Sequence, residues 1–168
     1  MITPDYVRTM ARYNRWQNRN LYAVTGTLDD RTRRADLGAF FGSVHGTLSH
    51  LLWADTIWMS RLSDWQRPDA GISDSASFVA DWDELVARRS EADEAILAWA
   101  EGMSAADLAG PLRWYSGATD RQIEKPRALC IVHVFNHQIH HRGQVHAMLT
   151  QSGVRPGDTD LPFMTEAD

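Results

Sequence analysis

Four stretches of this chain mix apolar and polar residues with the 3.6-residue period of a helix. In the first, from Pro4 to about Val24, Tyr6, Met10, Tyr13, Trp16 or Gln17, and Leu21 recur at helical spacing. Pro4 and Asp5 suit a helix start, and Gly26 with the polar run Asp29-Asp30-Arg31-Thr32 closes it. A second helix is expected from about Leu37 to Leu62, ended by Ser63-Asp64 and Pro68. A third runs from Ser75, placed as an N-cap, to Ala100, with Gly102 just past its end. Between Gly110 and Pro126 the period shortens. Leu112 to Tyr115, the turn residues 116–120, and Arg121 to Glu124 predict a small β-hairpin or extended segment. Pro126 then opens a last long helix that reaches Gln151 before Gly153 stops it.

Four long helices with short or moderate connections predict an all-α fold, an antiparallel four-helix bundle with the hairpin before its last helix. The 168 residues suit one domain, 1–168, with a real core. A hydrophobic share of 43% against 23% charged residues is that of an ordinary globular chain, and no apolar run approaches bilayer length. The N-terminus lacks the layout of a signal peptide, so a cytoplasmic location and no membrane partner are expected. A formal charge of −5 offers no footprint for a nucleic-acid backbone. The lone Cys130 excludes an intrachain disulfide.

Chemistry concentrates in the last helix. One stripe carries Cys130, His133, Val134, His137, His141, Gln144, Val145 and Met148, where a structural stripe would carry leucine and valine. Imidazoles and amides are costly to bury without partners. Residues four apart sit one above the other on a helix, so His137 and His141 can grip one metal ion. His133 shares the face, but it lies about 12 Å of axis from His141, too far for one ion with bonds near 2 Å. It is better read as a supporting partner or pocket wall. His140 turns about 60° away from His137 and His146 lies on the far side. Cys130, about 10 Å along the axis from His137, reads as a buried small hydrophobe.

A third ligand must come from another helix, and the second offers His45 and His50. His45 shares a face with Phe41, Leu48, Leu52 and Met59; His50 shares the opposite face with Gly46, Ala54 and Ile57. Both faces are apolar, so the helix is contacted from two sides and periodicity leaves the two histidines level.

The run His133-Val134-Phe135-Asn136-His137-Gln138-Ile139-His140-His141-Arg142-Gly143-Gln144-Val145 resembles the signature helix of the DinB family, within the DinB/YfiT-like superfamily of four-helix-bundle metalloproteins. Thr47 to Trp58, Tyr13 to Asn18 and the tail Thr159 to Met164 resemble it too, so the likeness covers nearly the whole chain. The resemblance implies a metal held by His50, His137 and His141, with no ligand missing, and a homodimer, an expectation the two-faced second helix shares. Gln17 stands where the family often has a small residue.

Three neutral imidazoles leave a divalent transition metal, zinc or nickel being expected, with its full charge and an open position. Gln138 follows His137 where H-E-x-x-H enzymes place a general base, and an amide cannot serve as one. Superfamily members resembling this chain include thiol-dependent transferases and isomerases, and hydrolases. Transfer of a low-molecular-weight thiol to an electrophilic small-molecule substrate is therefore the leading expectation. Hydrolysis by metal-activated water is the enzymatic rival, and a non-catalytic metal-binding dimeric module the other. Asp55 is expected to orient an imidazole or to tie two helices together. Trp53, Trp58 and Trp114 serve as pocket wall or core, and Arg142 steers an anionic substrate or forms a surface salt bridge.

Overall fold

A computed structural model describes residues 1–117 and 119–165, and the chain is mostly helical with one two-stranded antiparallel sheet. Helix α1 spans Pro4–Gly26 and the short α2 spans Asp30–Arg34. Three further helices follow: α3 Val44–Leu62, α4 Trp82–Glu101 and α5 Arg127–Gln151. Strands β1 (Pro111–Ser116) and β2 (Arg121–Pro126) form the expected hairpin, with Trp114 opposite Ile123. Of the expected turn, Ala118 lies outside the described residues. Asp120 takes a left-handed φ of 49°, which an aspartate tolerates in a turn. Among the described residues, no helix is long and apolar enough to cross a membrane.

Helix α1 packs on α4 and α5, and α3 packs on the same two. Each long helix therefore buries side chains toward two others. The core divides into two apolar clusters. One gathers Val7, Met10, Met59, Ile96, Ile131 and Phe135; the other gathers Leu21, Leu48, Leu52, Leu85, Val145 and Leu149. Between them, every long helix interrupts its apolar stripe with polar residues: Asn14 and Asn18, Asp55, Arg89 and Asp93, then Gln138 and Arg142, all buried.

Two helix starts differ from the sequence expectation. Helix α3 begins at Val44 rather than Leu37, capped by Ser43, whose side chain accepts from Gly46 N. Residues 37–43 instead fold into a tight turn in which Gly38 and Gly42 take φ of 76° and 73°. Leu37 N donates to Gly42 O and Gly42 N to Ala39 O, bonds that left-handed glycines permit and a helix would forbid. Gly46 lets this turn press close, since a Cβ there would stand 2.7 Å from Phe41 O. Helix α4 begins at Trp82, capped by Asp81, not at Ser75. Ser75 belongs to a 3-10 turn over Ile72–Ser77 that packs on α3. That packing explains the two apolar faces of α3 within a single chain. The short α2, capped by Asp29, forms where only a polar loop was expected.

Candidate metal centre

The histidine spacing on α5 puts His137 and His141 one turn apart on the face turned to α3, with ring centroids 4.5 Å apart. From α3, His50 enters between them, 5.2 Å from His137 and 5.0 Å from His141. One ligand atom from each of the three lies within 4.8 Å of the others, an arrangement compatible with a metal site. His45 goes elsewhere. It is buried against the chain between the 3-10 turn and α4, its Nε2 2.9 Å from Val79 O. Phase had left the two histidines level, and the turn at residues 37–43 separates them by placing Phe41 on the His50 side.

Phe41 stacks on His50 at 3.8 Å and tilts against His141 at 5.3 Å, closing one side of the cluster with an apolar ring. Hydrogen bonding then selects the tautomers. Ser75 Oγ donates its only proton to Ile72 O at 2.7 Å, so toward His50 Nδ1, 2.9 Å away, it can only accept. His50 therefore carries its proton on Nδ1 and presents a bare Nε2. His141 Nδ1 likewise donates to Gln144 Oε1 at 2.8 Å, while the Gln144 amide nitrogen turns to His140. His50 Nε2 stands 3.3 Å from His137 Nε2. Without a metal, a neutral His137 can donate its Nε2 proton across this gap to His50; with that proton on Nδ1 instead, all three rings present a bare nitrogen, so the donor set fits a divalent metal.

The electrostatics agree. Burial, with the neighbouring His141, holds His50 down to about 4. Burial and the surrounding imidazoles hold His137 down to about 3, and burial lowers His141 as well. All three are neutral at physiological pH, the form that ligates a metal.

Other predicted residues divide between the cluster and its surroundings. His133 is exposed and stands between His137 and Trp58, at 5.7 Å and 5.0 Å. It lines a cavity of about 620 Å³ that opens on His50 and His137, walled by Trp53, Trp58 and Trp114. Trp53 stacks on His50 at 5.9 Å and is fixed by donating to Ala70 O. Asp55 touches no imidazole. Its carboxylate accepts from Arg89 Nη1 at 2.7 Å and from Gln138 Nε2 at 2.6 Å, so it ties α3 to α4 and α5. Arg142 is neither at the surface nor in this cavity. One residue past His141 turns it about 100° around the helix, where it donates to Asn14 Oδ1 and lies over the Tyr13 ring. Cys130 is buried in an apolar cluster.

Sequence reading missed Ser75, because a serine before an apolar run reads as a cap, and Phe41, because it was drawn into a helix. Gln144 was visible in the polar stripe, and its role needed only a bonded partner one turn away.

The family model described as DinB family matches residues 1–168. Protein DinB of Bacillus subtilis (strain 168) is 25% identical over 174 residues, covering 98% of this chain and 98% of that protein.

Proposed function

This chain belongs to the DinB family, and from that footing we propose that it is a metal-dependent enzyme transferring a low-molecular-weight thiol to an electrophilic small molecule. We read its four long helices as an antiparallel four-helix bundle whose interior positions the reactive centre. One observation carries the proposal: three neutral imidazoles converge beside a cavity large enough for a substrate. His50, His137 and His141 would hold the ion, with zinc or nickel suited to three nitrogen donors. Bound there, a divalent ion with an open position lowers the pKa of a thiol or of water.

What the chain itself supplies favours the thiol. Among the described residues no aspartate or glutamate lines the cavity, and Gln138, beside His137, is engaged with Leu51 O and Asp55. A thiol that reaches its anionic form at a metal needs no carboxylate base, whereas hydrolysis gains from one. Phe41, packed on His50 and His141 outside the cavity wall, covers the cluster with an apolar ring. Against a purely structural site stands the ligand count, since structural zinc is normally closed by four protein ligands.

Elemental analysis of untagged protein should find about one transition metal per chain. His50→Ala, His137→Ala and His141→Ala should each lose most of it, while His45→Ala should keep it. A panel of small thiols with a chloro-dinitrobenzene acceptor should then show thiol-dependent turnover that follows metal content. Full metal content in the His137→Ala protein would overturn the centre; turnover of esters without any thiol would favour the hydrolase.

A further inference from the structure

Among the described residues, the cavity beside the three histidines carries two arginines and no acid. Arg61 and Arg67 both line it, in a chain whose formal charge is −5. Elsewhere the arginines of the long helices are mostly matched to carboxylates: Arg8 to Asp5, Arg19 to Glu94, Arg88 to Glu84, and Arg89 to Asp55 and Asp93. Arg61 and Arg67 have no carboxylate partner and no hydrogen-bond acceptor among the described residues. Arg61 is half-buried and its guanidinium carbon lies over two indoles, 4.6 Å from the Trp58 ring and 5.2 Å from that of Trp114. Burial and, after it, the charge of Arg67 push its guanidinium down to about 10.

A guanidinium held over indoles by cation–π contact keeps N–H donors along its edge, and that edge can receive a carboxylate. The aromatic wall is continuous from that edge to the histidines. His137 contacts His133, His133 contacts Trp58, and Trp58 carries Arg61. The three contacts along this path measure 5.7 Å, 5.0 Å and 4.6 Å.

We propose that this cavity is an anion-recognition pocket: Arg61 and Arg67 bind a carboxylate at one end of a ligand whose apolar or planar body lies on Trp58 and whose other end reaches the histidines. The identity of that other end rests on the metal-centre reading above; the anion site does not. The carboxylate belongs either to the thiol or to its electrophilic partner.

The test titrates the full chain with benzoate and with the neutral benzyl alcohol, following the tryptophan indole N–H signals by NMR, in metal-stripped and in zinc-loaded protein. Benzoate should bind the stripped protein at least about tenfold more tightly than benzyl alcohol, and more weakly as salt rises. Arg67→Gln, at an exposed position that folding does not depend on, should lower benzoate affinity about tenfold, with Arg61→Lys lowering it while keeping the charge. Equal binding of the two probes, or benzoate binding unchanged in both variants, overturns the proposal. Benzoate binding seen only with zinc also overturns it, because the carboxylate then goes to the metal and the metal reading alone survives. Arginine-dependent binding in a protein that takes up no metal leaves the anion site standing and fails the metal reading. In zinc-loaded protein, N-acetylcysteine and N-acetylcysteamine differ by the carboxylate alone. A preference for the former that Arg67→Gln abolishes assigns the anion to the thiol, and equal affinity assigns it to the electrophile.

Discussion

Ser75 has one hydroxyl proton, and where it goes decides which nitrogen of His50 faces the cluster. Ser75→Ala keeps the fold of the 3-10 turn but frees His50 to rotate or to change tautomer. Its zinc affinity, measured by competition with a chromophoric chelator, is expected to fall about 10–100-fold with the site otherwise complete. Unchanged affinity would mean that Phe41 and Trp53, both packed on the ring, hold it without the hydrogen bond. At this scale the sequence was legible wherever spacing along one helix sufficed. His137 and His141 follow from a four-residue step, and the demotion of His133 follows from axial distance. The choice of His50 over His45 needed a second element, and so did Ser75.

Among the elements, the buried layer between the two apolar clusters matters most. Asp55 from α3, Arg89 and Asp93 from α4, Asn18 from α1, and Gln138 from α5 meet there through bonds of 2.6–2.9 Å. Two acids balance two arginines, Arg89 and Arg142, so the layer is neutral as a set while each member depends on the others. Asp55→Ala leaves Arg89 with one partner fewer and the Gln138 amide with Leu51 O as its remaining acceptor. It should cost about 3–5 kcal/mol in chemical denaturation, as breaking buried pairs does. A loss below 1 kcal/mol would show that water enters the layer and replaces the carboxylate. Because Gln138 neighbours His137, a substantial loss should also loosen the α3–α5 contact that brings His50 to its partners. The sequence marked Asp55 as buried and bonded but left two uses for it. Its partner Arg89 lies 34 residues away on a helix whose polar positions gave no sign of facing inward.

For the whole molecule, the two kinds of buried titratable group pull stability in opposite directions with pH. Burial raises Asp93 to about 6 despite Arg89 beside it, so the folded chain binds a proton there more readily than the unfolded chain does. That contribution is present at low pH and is lost as pH rises through 6. His50 and His137 are depressed to about 4 and 3, so their contribution is present above the unfolded value of about 6.5 and is lost as pH falls. Asp93→Asn removes only the first term. In metal-free protein its stability should therefore rise more steeply with pH between about 4 and 6 than that of the parent chain, read from urea midpoints across that range. Parallel profiles would mean that Asp93 binds its proton equally well in the folded and the unfolded chain. The sequence by itself determined four helical periods, a hairpin before the last of them, and a pair of imidazoles one turn apart, because these depend on residues close along the chain. Only the tertiary structure decided where helices begin after a left-handed glycine turn, which histidine of α3 completes the cluster, and which charges are answered. Those outcomes depend on partners from distant segments: Ser75 for His50, Arg89 for Asp55, and for Arg61 and Arg67 no acid among the described residues.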